Sequence, residues 1–154
     1  MKKTLLLIAV AMMTAFSLTT TSCADADEGE NWEEWILRNT INGPERRIHQ
    51  VEIEKDKWVD AMEANIIYFE VKFSASNHNF RSTKWYYMAE GEADPATIDQ
   101  YTTDNNTAYT IKDNVVECTV DGKPYFQMKV LESGYFMDCE IYFYKEQRKF
   151  HVKM

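Results

Sequence analysis

The sequence has few of the residues from which metal and catalytic sites are usually built. Its three histidines, His49, His78 and His151, lie on separate segments, and none has a second ligand at metal-site spacing. The five glycines form neither a phosphate-binding loop nor a nucleophile elbow, and no Cys/His pair suggests nucleophilic chemistry. We therefore expect a protein without a metal site, a cofactor or catalytic residues.

A hydrophobic run long enough to cross a membrane is also missing. The apolar stretch at residues 5–16 follows Lys2 and Lys3, and it is shorter than the roughly 20 residues that span a bilayer. A basic start and a short apolar centre are typical of an export signal that is removed from the mature protein. We assign residues 1–22 to this signal peptide.

Cysteine is scarce, and the first of the three, Cys23, directly follows the predicted signal peptide. The small residues at 20–22 resemble the lipobox of bacterial lipoproteins, which implies cleavage before Cys23 and a lipid on its thiol. The alternative is an ordinary signal peptide followed by a chance cysteine. Residues 24–31 are acidic and small, without apolar periodicity, so Cys23 is predicted to carry a flexible tether that ends at residue 31.

Basic residues are outnumbered by acidic ones in the remaining chain. Removal of residues 1–22, which contain two of the 17 basic residues and none of the 25 acidic ones, leaves 132 residues with a net charge of −10. A chain of this length forms one domain, which we place at residues 32–154. The acidic surface excludes nucleic acid as a partner, because it repels the phosphate backbone.

Aromatic residues, by contrast, are abundant and favour strands. Residues 108–154 form short alternating runs interrupted by turn residues at 113–114, 121–122, 133–134 and 146–147, which predicts consecutive hairpins. Residues 66–88 predict another hairpin, with Phe73 on its apolar face. In its return strand, Trp85 and Tyr87 are expected to point inward.

The other segments give weaker patterns. Residues 35–41 and 47–53 predict strands, and residues 56–65 a short helix or an irregular crossing. Residues 89–106 read as a long loop with one helical turn at 95–100. Eight or nine strands without a long helix favour an all-β, eight-stranded antiparallel up-and-down barrel, because closure removes exposed edges. An open two-layer sandwich is the alternative.

Cys118 and Cys139 lie on the apolar faces of two predicted strands that are separated by a third. Two strand spacings place them roughly 9 to 10 Å apart, whereas a disulfide needs Cα atoms within about 7 Å. We expect two buried free thiols that act as small apolar core residues.

Five residues carry a resemblance to a known family: Trp35 for a first-strand tryptophan, and Tyr109, Ile111, Asn114 and Val116 for a strand pair followed by a glycine-containing hairpin. With the lipobox and the tether, this pattern resembles the small lipocalin-like lipoproteins of Bacteroidota. The resemblance implies a calycin-type barrel that binds a small apolar molecule.

The tether adds a resemblance of its own. Asp25, Asp27 and Glu28 follow Cys23 closely, as in the acidic signals that send Bacteroidota lipoproteins to the cell surface. The resemblance implies a lipid-anchored protein of the outer membrane that faces outward.

Two functions follow as hypotheses. The first is a membrane-anchored, lipocalin-like protein that binds a small hydrophobic or amphipathic ligand, with a mouth near residues 77–81 and 89–106. Its candidate lining residues are Phe73, Arg81, Trp85, Tyr87, Met128 and Phe143. The second is a surface interaction or scaffold protein with a self-filled barrel, whose loops contact another protein or a glycan. Exposed aromatics would distinguish it, and the candidates are Tyr86, Tyr142 and Tyr144.

Overall fold

The computed structural model describes residues 31–88, 91–95 and 98–154. The predicted signal peptide, the predicted lipidation site Cys23 and most of the predicted tether belong to residues 1–30 and lie outside the described residues. The described helix and strands determine where the core and the exposed surface lie.

The first described element is a helix, α1, at Trp32–Ile41, so the strand predicted for residues 35–41 is wrong. The physical reason is a capping box. The Asn31 side chain accepts a hydrogen bond from the Glu34 backbone N–H at 2.9 Å, and the Glu34 carboxylate accepts one from the Asn31 backbone N–H at 3.4 Å. This reciprocal cap starts a helix that buries Leu37, Arg38 and Ile41.

Eleven strands follow within the described residues, and they form two antiparallel sheets. The smaller sheet has the order β1-β4-β5-β6, and the larger has the order β3-β2-β11-β10-β9-β8-β7. In chain order the strands are β1 Arg46–Arg47, β2 Gln50–Glu54, β3 Lys57–Asp60, β4 Ile67–Ser74, β5 Asn79–Tyr86, β6 Asp99–Tyr101, β7 Thr107–Lys112, β8 Val115–Val120, β9 Lys123–Ser133, β10 Met137–Phe143 and β11 Arg148–Lys153.

The hairpins predicted for the C-terminal part are confirmed. Strands β7 to β11 pair consecutively and antiparallel in the larger sheet. Asp113 and Asn114 have φ of 53° and 60°, and Asp121 and Gly122 have φ of 51° and 74°. Two successive positive φ values are those of the tight turns that match strand twist, and Asp, Asn and Gly tolerate them.

The single eight-stranded barrel is replaced by two sheets, because the chain changes sheets near its start. Arg47 of β1 pairs with Glu70 of the smaller sheet, whereas Gln50 of β2 already pairs with Lys153 of the larger sheet. The predicted strand at 47–53 is thus divided between two partners. The fold is all-β, as expected, but the sheets are separate.

Two short strands stand where other structures were expected. Strand β3 occupies part of residues 56–65, and it returns beside β2 through Asp56, whose φ is 62°. Strand β6 occupies the end of the predicted loop at 89–106 and pairs with β5. Each is held by its neighbour in the sheet, which the local sequence pattern does not reveal.

Aromatic rings from the two sheets fill the space between them. Phe69 of β4 packs edge-on against Phe126 and Phe143 of the larger sheet, with ring centroids 5.2 and 5.0 Å apart. Phe73 and Tyr109 form a similar pair at 5.2 Å. Such edge-to-face pairs add specific attraction to the area that they bury. The core therefore lies between the inner faces of the two sheets.

The two cysteines of this core are free and buried, as predicted. Burial raises the pKa of the Cys118 thiol well above its ordinary value and that of Cys139 to about 12. The thiols consequently stay protonated and behave as small apolar groups.

A histidine reinforces the junction where β2 joins the larger sheet. His151 of β11 lies 2.6 Å through Nδ1 from Glu52 of β2 and 2.6 Å through Nε2 from Asp138 of β10. Partial burial lowers the pKa of His151, but the hydrogen bonds to Glu52 and Asp138 outweigh it and raise the pKa above its usual value. Only the protonated ring donates to both carboxylates.

We predict that His151→Gln lowers the free energy of unfolding by about 1 kcal/mol near pH 6, the scale of a partly exposed ion pair. Because the folded pKa is raised, this stabilisation is complete below the unfolded pKa and disappears as the pH rises through the folded pKa. Urea unfolding of both proteins between pH 5 and pH 9 measures the difference. A difference that stays constant, or that grows with pH, would contradict the account.

Candidate binding cleft on the smaller sheet

A cleft of about 280 Å³ lies on the smaller sheet. We call it the outer cleft, and its lining residues are Glu45, Glu70, Arg81, Ser82, Thr83, Gln100, Tyr101 and Thr102. Arg81 and Thr83 belong to the more exposed alternate positions of β5, whereas Phe80, Lys84 and Tyr86 of the same strand are buried. The cleft therefore opens on the side of the sheet away from the core.

Strand register brings polar side chains of four strands into one row beside the cleft. Arg47 pairs with Glu70, Glu70 with Thr83, and Thr83 with Gln100. Directly opposed residues on neighbouring strands lie close enough to share a ligand. The row presents a guanidinium, a carboxylate, a hydroxyl and an amide, so it offers both donors and acceptors.

An aromatic pair stands beside this row. Tyr68 of β4 and Trp85 of β5 are paired across the sheet, and their rings stack with centroids 3.9 Å apart and 7° between the planes. The Tyr68 hydroxyl donates to the Glu70 carboxylate. Partial burial and this hydrogen bond raise the pKa of Tyr68 to about 12, so the phenol remains a neutral donor.

Charge in the cleft is partly neutralised by one ion pair. The Arg81 guanidinium lies 3.1 Å from the Glu45 carboxylate, and both side chains are about half exposed. Exposed pairs of this kind contribute little to stability, so a ligand can exchange with their hydrogen bonds at small cost. Arg81 is thus held over the cleft without being buried in it.

Beneath the cleft, a fully buried lysine holds β6 in place. The Lys84 ammonium, with 0% of the side chain exposed, lies 3.0 Å from Asp99 Oδ2 and 2.7 Å from Glu146 Oε1. Lys145 lies 3.1 Å from Asp99 Oδ1. We call these four residues the lysine cluster. Two cations and two carboxylates balance, and they connect β5, β6 and the turn between β10 and β11.

Aromatic rings surround the ammonium on its other sides. Its nitrogen lies 4.7 Å from the Phe143 ring centroid, 5.3 Å from that of Tyr125 and 5.4 Å from that of Tyr86. Burial, and then the nearby carboxylates, raise the pKa of both tyrosines above its ordinary value. Their phenols therefore stay neutral beside the ammonium.

The structure separates five of the six candidate ligand residues into two groups. Phe73, Met128 and Phe143 are buried in the core between the sheets. Arg81 lines the outer cleft, and Trp85 stacks on Tyr68 beside it, so the inward orientation expected of Trp85 is wrong. The reason is that Lys84, which is paired with Asp99 and Glu146, occupies an inward position of β5. The sequence pattern alone places a charged residue on the outer face.

The remaining candidates also divide. Tyr87 is half-buried just after β5 and forms an isolated bridge with Ala93. Tyr86 is buried rather than exposed, because its ring packs against Phe150 at 6.2 Å. Two further tyrosines, Tyr142 and Tyr144, were expected on the surface. Both are half-buried, and their ring centroids lie 5.1 Å apart.

Sequence reasoning missed the lysine cluster entirely. Lys84 and Glu146 are 62 positions apart, and Lys145 and Asp99 are 46 apart. Neither spacing follows the period of a helix or a strand. Strand pairing places Lys84 opposite Asp99 in the smaller sheet, and the packing of the two sheets brings Lys145 and Glu146 to them.

Within residues 31–88, 91–95 and 98–154, no group of three or more His, Cys, Asp or Glu side chains could hold a metal ion. Over the same ranges, no helix is both long and apolar enough to cross a bilayer.

We predict that Lys84→Met lowers the free energy of unfolding by about 3–5 kcal/mol, because it removes the buried cation shared by Asp99 and Glu146 and leaves Glu146 without its partner. Lys145→Met is the matched control, since it removes a largely exposed partner of the same Asp99 and should cost no more than about 1 kcal/mol. Urea unfolding followed by circular dichroism measures both. Equal losses would show that burial of the Lys84 pairs does not determine stability.

Comparison with known proteins gives no match to any family model, to any curated protein or to any solved structure.

Proposed function

We propose that this chain is a membrane-anchored, non-catalytic binding protein that recognises a hydroxyl-rich ligand, the exposed end of a glycan, at the outer cleft. The observation that carries the proposal is the polar row of Glu70, Thr83 and Gln100 beside the stacked Tyr68 and Trp85. Sugar hydroxyls pair with carboxylates, amides and hydroxyls, while the C–H face of a sugar ring packs against an aromatic side chain.

The packing of the core favours this outer site over an interior one. Phe73, Met128 and Phe143, which the first hypothesis places around a ligand, are at most 1% exposed. Protein interiors are packed as densely as organic crystals, so an apolar ligand there would have to displace these side chains. The hypothesis of a self-filled interior with an external ligand therefore accounts better for the same residues.

The relation to lipocalin-like lipoproteins is part of the proposal. A backbone hydrogen bond joins β7 of the larger sheet to the turn before β5, where the Tyr109 N–H donates to the His78 carbonyl at 2.9 Å, and the chain itself passes from β1 to β2 between Arg47 and Gln50. This arrangement supports a barrel-like ancestry in which the outer surface has become the binding surface.

Binding at the outer cleft is tested with full-length protein in detergent on a glycan array, followed by titration of the best-retained glycan. We expect Gln100→Ala to weaken that binding about five- to tenfold, because it removes about one hydrogen bond. Gln127→Ala is the matched control, because Gln127 lies in a separate cleft on the larger sheet. Equal effects of the two substitutions, or an array without any retained glycan, would contradict the proposal.

The anchor has its own test. We expect Cys23→Ser to release the protein from the membrane fraction, because the proposed lipid is attached to that thiol. Protease added to intact cells should remove the wild-type protein if it faces outward from the outer membrane. Full protection would contradict the outward orientation, and membrane retention of the Cys23→Ser variant would contradict lipidation.

A further inference from the structure

Helix α1 is apolar on two opposite faces. Leu37 and Ile41 point into the core, whereas Trp32 is 66% exposed and Ile36 is 44% exposed. At 3.6 residues per turn, Trp32, Trp35 and Ile36 share the face opposite that buried pair. The rings of Trp32 and Trp35 stack with centroids 4.6 Å apart. Trp35 is half-buried, and the buried residues of the helix are Leu37, Arg38 and Ile41.

The acidic residues of α1 lie beside the stripe and not within it. Glu33 is one residue from Trp32 and therefore about 100° around the helix. The Glu34 carboxylate is directed to the Asn31 backbone by the capping box. Asn39, which follows on the same face as Ile36, turns its amide to the Trp35 carbonyl at 2.8 Å. The stripe is a small apolar surface with its charges at the edges.

We propose that the stripe of Trp32, Trp35 and Ile36 lies in the lipid–water interface of the membrane to which the chain is anchored. The inference rests on the proposed lipid at Cys23. Eight peptide steps from Cys23 to Asn31 reach at most about 29 Å, and α1 is the first described element after the proposed anchor.

The chemistry of the stripe fits this occupant. Tryptophan concentrates at membrane interfaces, where its ring is among lipid tails and its N–H is among hydrated headgroups. Anchoring by a single lipid group is stabilised by a second apolar contact. A second copy of the chain is a poorer occupant, because the mature net charge of −10 opposes self-association.

The test uses the lipidated full-length protein in phosphatidylcholine vesicles whose acyl chains carry bromine, which quenches nearby tryptophan fluorescence. We expect quenching of the wild type, and a loss of at least half of the quenched signal in Trp32→Phe. Trp58→Phe is the control and should leave the quenched signal unchanged, because Trp58 lies on β3 of the larger sheet. Both substitutions are conservative, and circular dichroism confirms that each variant folds.

Flotation of the same vesicles separates this inference from the anchor. If the wild-type protein floats with the vesicles but its fluorescence is not quenched, the docking of α1 is overturned and the anchor is not. The same conclusion follows if the Trp32→Phe and Trp58→Phe variants float and are quenched equally. Protein that does not float overturns both. A dimer in light scattering that protects Trp32 from iodide in the absence of lipid also overturns the inference, since the stripe is then covered by a second copy.

Discussion

The buried ammonium of Lys84 is the constraint on which the arrangement of the smaller sheet depends. Its partners Asp99 and Glu146 come from β6 and from the turn before β11, so one cation connects both sheets. An unpaired charge at 0% exposure is far too costly to persist, which means that β6 and the turn must stay where their carboxylates reach it. The outer cleft depends on this cluster, since Gln100 and Tyr101 are placed by β6.

The same constraint favours the proposed binding surface on the outside of the molecule. Between the sheets, Phe69 packs against Phe126 and Phe143, and the Phe143 ring centroid also lies 4.7 Å from the Lys84 ammonium. All three rings are 0% exposed, so an apolar ligand placed there would have to displace them. Two exposed features of the described residues are the polar row beside Tyr68 and Trp85, and the aromatic stripe of α1. One suits a hydroxyl-rich ligand, and the other suits a lipid surface.

The sequence predicted the parts of the fold that depend on residues close together in the chain. It did not predict the parts that depend on residues far apart in the chain. The hairpins after residue 107 were predictable because Asp113–Asn114 and Asp121–Gly122 enforce their turns locally. The helix at 32–41 was predictable in principle, since Asn31 and Glu34 form a capping box, but the strand-like apolar pattern concealed it. The orientation of Trp85 was not predictable, because Lys84 turns inward only to meet carboxylates from distant parts of the chain. The outer cleft was not predictable either, because the register between distant strands brings its residues together.

The most direct test of the central claim is to locate the ligand by nuclear magnetic resonance. Backbone amides and the Met128 methyl group are observed together while the best-retained glycan is titrated into the protein. The account predicts shifts at Thr83, Gln100 and Trp85, which surround or adjoin the outer cleft, and an unchanged Met128 methyl. A large shift of Met128 with unchanged amides at Thr83 and Gln100 would place the ligand in the interior and contradict the account.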